Sequence, residues 1–335
     1  MIKPTKRRVL SALCTGGGVL LAGCTAVSEE STVTNEPATT EGDDETTPTE
    51  STPSVPHFPG NTTSSACPAF DNTELVVCYE AVDPEEMPIV LVPEAQSVQP
   101  EQPVEFTLRN QSEQQFETNH YHWQLYKRVD GDWYYIAPEF WPEPLMLLEA
   151  GDEHTWTVTV ATGRVSDGDS IENVEGTESL TLAGLGGGNY AFGTDGWFAA
   201  ASYEDSIALA TGFNLNADQL QLTPTTAISE TEWDGETLVA RSTRGESDGE
   251  DDQPDKFILE RIDGSEIDAE RVIAEQVVRN DQLRDSIALS RKHDADRVRL
   301  EEFSSSIPPF GLQDARTYEF GGQQYRVTVR EEEPS

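Results

Sequence analysis

The sequence is 335 residues long and carries 62 acidic against 22 basic side chains, for a formal charge of -40. That balance excludes nucleic acid as a partner, because binding it draws on a net cationic surface. The length accommodates two domains with additional segments, since single cores rarely grow far beyond roughly 150 to 250 residues.

The acidic excess runs along the whole chain, and Lys3, Lys6, Lys127, Lys256 and Lys292 are the only lysines. Such a surface repels itself in ordinary buffer. In molar salt the Debye length shrinks to ~3 Å, repulsion is screened, and a hydrated anionic surface remains soluble. The composition therefore predicts a halophilic host.

The stretch Lys3 to Arg8 is basic, Val9 to Leu21 is a short apolar run, and Leu21-Ala22-Gly23-Cys24 follows. This is the layout of a secretory signal, too short for a permanent membrane helix. The pair Arg7-Arg8 before Val9-Leu10 resembles a twin-arginine signal, which exports folded proteins. Leu-Ala-Gly-Cys resembles a lipobox, implying cleavage that leaves a lipid on Cys24, with two chains needed for stable anchoring. Together these motifs are similar to those of haloarchaeal surface lipoproteins. They imply a protein held by Cys24 on the outer face of the cell membrane, with residues 1-24 as signal peptide.

Residues 25-66 are rich in Thr, Ser, Glu, Pro and Asp. Such a composition buries too little apolar area to offset chain entropy, so a disordered tether is expected. Its hydroxyls permit O-glycosylation, and Asn61-Thr62-Thr63 and Asn110-Gln111-Ser112 fit the N-glycosylation pattern. Outside a reducing cytoplasm Cys67 and Cys78 are expected to form a disulfide. A loop so short contributes about 3 kcal/mol in the chain-entropy model.

From Met87 to Leu215 the sequence alternates apolar and polar positions between turn residues. The candidate strands are Ile89 to Val92, Val104 to Asn110, Tyr121 to Val129, Trp133 to Ala137, His154 to Val160, Asn189 to Gly193 and Ser206 to Leu215. Phe106 and Leu108 share one face, as do Trp123, Leu125 and Lys127. Asp130-Gly131 supplies the positive φ angles of a tight hairpin. Leu185-x-x-Gly188-x-Tyr190 has the spacing of a tyrosine corner. With Val104 to Ser112, Asp-Gly-x-Trp-Tyr and Leu148-x-x-Gly151-Asp152, the stretch resembles bacterial Ig-like domains. The resemblance implies an Ig-like β-sandwich over residues 67-223. The acidic insertion Ser166 to Glu178 and the lack of an inter-sheet disulfide depart from the pattern and leave strand order open.

His120, His122 and His154 admit a metal reading, because His-x-His on a strand places both imidazoles on one face and a third can come from a neighbouring strand. A blue-copper site needs a Cys between its histidines, and the mature cysteines here precede them. The three are therefore read as surface or packing side chains, with a metal or redox site as the alternative. Phe140, Trp141, Pro142, Pro144, Leu145 and Met146 form either a core edge, the preferred reading, or an exposed binding patch.

A smaller α+β domain is expected over residues 224-335. Glu232 to Ser242 and Lys256 to Ile262 alternate like strands, joined as a hairpin by the acidic loop Glu246 to Asp255. That loop lacks the spacing of an EF-hand and reads as solvated. Asp268 is placed as the cap of a helical run through Val272, Val277, Leu283 and Ile287, broken near Asn280. Arg271, Arg279, Arg284, Arg291 and Arg297 interleave with acids as on a solvated helix face. Arg297 to Phe303 and a hairpin around Gly321-Gly322 close the chain.

No nucleophile elbow, phosphate-cradling loop or His-Glu-x-x-His helix occurs. The expectation is a non-catalytic surface module, without cofactor, that binds a protein or glycan or serves the envelope structurally. A metal or redox lipoprotein using His120, His122 and His154 is the alternative, and an extracellular protease inhibitor a second one.

Overall fold

The computed structural model describes residues 55–161, 171, 174–247, 249, 253–264 and 268–329, all within one compact unit. The signal segment with Arg7, Arg8 and Cys24, most of the tether, and much of the acidic insertion lie outside the described residues.

The first half is an Ig-like β-sandwich. Its strands are β1 (Leu75–Cys78), β2 (Ile89–Pro93), β3 (Ser97–Val98), β4 (Pro103–Asn110), β5 (Phe116–Thr118), β6 (Gln124–Val129), β7 (Asp132–Ala137), β8 (Met146–Leu148), β9 (Glu153–Ala161), β10 (Ser179–Ala183), β11 (Gly188–Phe198) and β12 (Ile207–Leu215). One sheet runs β10-β9-β4-β2. The other runs β1-β12-β11-β5-β8, with β6 beside β11, β7 beside β6 and β3 beside β12. Alternation explains the core: Val104, Phe106 and Leu108 on β4 are buried, while Pro103 and Glu105 on the alternate positions are exposed. Phe106 meets Phe192 of the facing sheet with ring centroids 4.6 Å apart, and Trp156 and Trp123 pack on the same Phe192.

Two turns foreseen in the sequence are present. Asp130 and Gly131 adopt φ of 53 and 96, closing the β6–β7 hairpin. The Tyr190 hydroxyl donates to the Gly186 carbonyl at 2.6 Å where the chain crosses from β10 to β11, which is a tyrosine corner. The Cys67–Cys78 disulfide is formed.

The tether ends earlier than its composition implies. Phe58 packs on Phe198, the Thr62 carbonyl accepts from the Cys78 N–H, and the Ser65 carbonyl accepts from Arg128. These residues belong to the sandwich because Phe58 supplies an apolar anchor and the backbone completes the edge at Cys78. Asn110 is buried, donating to the Gln114, Leu148 and Glu149 carbonyls. Its amide holds the Leu148-to-Asp152 turn and is not open to a glycan; Asn61 is exposed.

The second half is an α+β domain. A mixed sheet is ordered β13-β14-β17-β15-β19-β18-β16, built from β13 (Ile228–Asp234), β14 (Thr237–Ser242), β15 (Asp255–Ile262), β16 (Glu270–Arg271), β17 (Arg297–Glu302), β18 (Arg316–Phe320) and β19 (Gln323–Thr328). The helices are α1 (Ala274–Val277) and α2 (Asp281–His293). Leu283 and Ile287 of α2 pack on Leu238, Leu259, Val298 and Tyr325. The expected hairpin across the acidic loop does not form: β17 lies between β14 and β15, and β14 pairs instead with β13 around Gly235. Asp268 caps nothing, since a two-residue strand intervenes. Asn280 caps α2, its side chain accepting from Leu283 N–H at 2.9 Å.

The interleaved arginines do not form a solvated helix face. Arg271 pairs with Asp130 and Asp132 of the sandwich hairpin, and Arg279 donates to the Ala183 and Gly184 carbonyls. Arg284 is wholly buried and donates to the Thr223 carbonyl, while Arg291 lies over the Phe320 ring. Arg297 pairs with Glu260. They clamp the two domains together or brace the second.

At the centre of the junction Lys127 of β6 hydrogen-bonds Glu275 of α1, with side chains 5% and 3% exposed. Glu275 also accepts from Gly186 N–H, and Lys127 donates to the Gly186 carbonyl. Gly186 and Gly187 are needed because residues 216–227, the interdomain strap between β12 and β13, cross them. A Cβ on Gly187 would lie 1.9 Å from the Ala217 carbonyl oxygen, and one on Gly186 2.4 Å from Leu220 N.

Removing one member of a buried ion pair leaves an uncompensated charge, which costs about 3–5 kcal/mol, whereas apolar replacement of both is far milder. Lys127→Met is expected to lose stability in that range and Lys127→Met/Glu275→Leu to recover most of it. Denaturant unfolding in concentrated salt measures both. Equal losses in the single and double variants would show that the pairing itself is not what matters.

Candidate functional site

His120 and His122 do not lie along a strand. Asn119 forms an Asx-turn, its Oδ1 accepting from Tyr121 N–H at 3.0 Å and its carbonyl from His122 N–H at 2.8 Å. The turn separates β5 from β6 and sends His120 and His122 to different neighbours. The expected shared strand face is thus replaced by two separate contacts.

His120 stacks on His154 of β9, with centroids 3.6 Å apart and planes at 14°. Both lie edge-on to Trp156, whose Nε1 donates to the His120 carbonyl at 2.9 Å. His122 instead places Nδ1 2.8 Å from Asp195 Oδ1 and stacks on Trp141. Among the described residues the three imidazoles do not bring their donor atoms within 4.8 Å of one another. Imidazole lone pairs lie in the ring plane, so two nearly parallel rings aim past each other rather than at one ion. Sequence reasoning missed Trp156 and Asp195, the residues that decide where the imidazoles point.

Around Trp141, Phe140 and Leu145 are 65% and 58% exposed, which corrects the preference for a core edge. Pro138, Pro142 and Pro144 break the chain here, so no regular strand carries these side chains inward.

A concave site lies on the outer face of the larger sandwich sheet. It is a cleft of about 320 Å³ whose lining includes Trp133, Arg128, Asn189, Asn214, Gln96 and Glu80. Trp133, Arg128, Asn189 and Asn214 sit opposite one another across β7, β6, β11 and β12, so the pleat points them to one side. The Arg128 guanidinium lies 5.7 Å from the centre of the Trp133 ring and donates to the Ser65 carbonyl at 2.9 Å. Asn214 donates to Asn189 at 3.2 Å. Glu80 accepts from Gln96, from the Thr211 hydroxyl and from Gly212 N–H, a backbone donor left open between β1 and β3.

No family model matches the sequence, and no curated protein does. Among solved structures, the chain is similar to the sporulation control protein Spo0M from Bacillus subtilis, at 13% identity and a TM-score of 0.20 over 38% of this chain. It spans about half, 49%, of that chain. It is also similar to a PapD-like domain of human CEP192, at 15% identity and a TM-score of 0.21, covering 41% of this chain and 91% of that one.

Burial, then the neighbouring His154, lowers the His120 pKa to about 4. Burial also lowers that of His154, against a backbone hydrogen bond at Thr177 and the charge of Glu178. Unfolded imidazoles titrate near 6.5, so below that pH the unfolded chain binds more protons than the folded one. Stability should therefore fall as pH drops from about 6.5 towards about 4, by of order 1–2 kcal/mol after discounting for partial exposure. His120→Gln/His154→Gln should flatten that slope in denaturant unfolding followed across the window. An unchanged slope would mean that the stacked pair does not govern it.

Proposed function

We propose that this chain is an exported, lipid-anchored surface protein of a halophile, held by Cys24 and acting as a non-catalytic binding module. The observation that carries the binding half is the cleft beneath Trp133. It gathers an aromatic ring and several planar polar side chains on the open face of a rigid sheet, the composition of a small-ligand site. The location half is supported by the basic, apolar and Leu-Ala-Gly-Cys sequence blocks. A cystine between Cys67 and Cys78 fits chemistry outside the reducing cytoplasm. The acidic surface fits concentrated salt.

The module faces outward on its tether, and its partner is a protein or glycan of the envelope or medium. The histidines serve packing, because their rings stack on each other and on tryptophan.

Fractionation of a salt-grown host tests the location. Cys24→Ser is expected to release the protein into the medium without its lipid mass. Arg7→Lys/Arg8→Lys is expected to leave an uncleaved precursor inside the cell. A Cys24→Ser protein that stays in the membrane fraction at its original mass would overturn the anchor.

A further inference from the structure

The polar groups in the Trp133 cleft are unevenly spent. Asn214 Nδ2 donates to Asn189 Oδ1. Among the described residues, this leaves Asn189 Nδ2 and Asn214 Oδ1 without partners. Gln96 uses its Nε2 on Glu80, and Arg128, whose fork offers five donors, has one bond to Ser65. An open acceptor on Asn214 is thus followed along one row of the sheet by open donors on Asn189 and Arg128, ending at the indole of Trp133.

The charge of the cleft narrows the ligand. Among the described residues that line it, Arg128 is the only cation and Glu80 the only anion, so the lining is locally neutral on a chain whose formal charge is -40. A charged ligand would be steered by the surrounding anionic field in proportion to its charge, whereas a neutral one is indifferent to it. A ligand matched to this cleft is neutral, has hydroxyls that each donate and accept, and has one apolar face to lay on an indole. The volume, about 320 Å³, lies at the lower end of ligand sites, which run to roughly 300–1,000 Å³.

We infer that the cleft binds a neutral hexose unit of a glycan, its C–H face on Trp133 and its hydroxyls on Asn189, Asn214, Gln96 and Arg128. This rests on the reading of the chain as a surface binding module and names that module's ligand class. Glu80 Oε1, which accepts from Gln96, Thr211 and Gly212, positions the rim.

The test uses the mature chain in concentrated salt, titrated with the methyl glycosides of glucose, galactose and mannose and with glucuronic acid as charged control. Tryptophan fluorescence and the side-chain amide NMR signals of Asn189 and Asn214 report binding. At least one methyl glycoside should shift both amides saturably, with an affinity unchanged across the salt range in which the fold persists. Trp133→Ala should weaken it about tenfold or more, and Trp133→Phe, which keeps a platform, only a few-fold. No saturable shift with any of the three glycosides overturns the inference. So does glucuronic acid alone binding, or Trp133→Ala binding as wild type with its NMR spectrum otherwise intact. Any of these outcomes leaves the module reading standing if envelope extract is still captured by wild type. Capture lost together with anchoring on Cys24 sinks that reading separately.

Discussion

The pairing of Lys127 with Glu275 is the constraint on which the arrangement of both domains depends. A lysine in the middle of a sandwich strand, pointing inward with Trp123 and Leu125, would be an uncompensated charge in an apolar core. It is tolerated because α1 of the second domain delivers a carboxylate to it, and because the tyrosine-corner loop offers the Gly186 carbonyl and N–H to the two partners. The tyrosine corner thus has a second use here. The loop that hands the chain from one sheet to the other is also the surface against which the second domain is seated. Ile273 joins the sandwich core beside it, and Gln276 donates to the Tyr135 carbonyl.

That junction explains where the scarce cations go. With 22 basic residues against 62 acidic ones, a domain boundary cannot rely on abundant surface pairing. Arg271 and Arg279 reach across the boundary, and Arg244 binds Glu302, Thr225 and Asp285 where the interdomain strap enters the second domain. Burial raises the Asp285 pKa, and the hydrogen bonds from Thr225 and the Arg244 guanidinium oppose that shift. On the open face of the second sheet, Arg241 and Arg299 are shared among Glu230, Glu232, Glu301 and Asp234. Exposed pairs of this kind stabilise little singly. Their use here is to break up runs of like charge.

The sequence made the long sandwich strands legible, since β4 and β9 alternate over enough residues for period two to be unambiguous. It could not reveal β3, β5 and β8, because two or three residues carry no period. The junction was illegible for another reason: Lys127 and Glu275 are 148 positions apart, and a lone lysine on an apolar face does not announce its partner. The histidine turn was readable in principle. Asn119 before His120-Tyr121-His122 is an Asx-turn signal, but extending the alternation of β6 backwards past Trp123 overrode it. The cleft was invisible because its residues come from four strands and two connecting segments, and each, taken alone, reads as a solvated position.

Local neutrality of that cleft follows from the same economy of charge. Arg128 is spared from the junction only because its neighbour in sequence, Lys127, faces the opposite side of β6 and meets Glu275 there. Alternation along one strand therefore sends one cation inward to lock the domains and the next outward to the open sheet face. Shifting β6 by one residue would exchange the two roles, burying a guanidinium where an ammonium now fits and stripping the cleft of its cation. The Asp130-Gly131 turn, which fixes that register, thus bears on both the joining of the domains and the character of the surface they present.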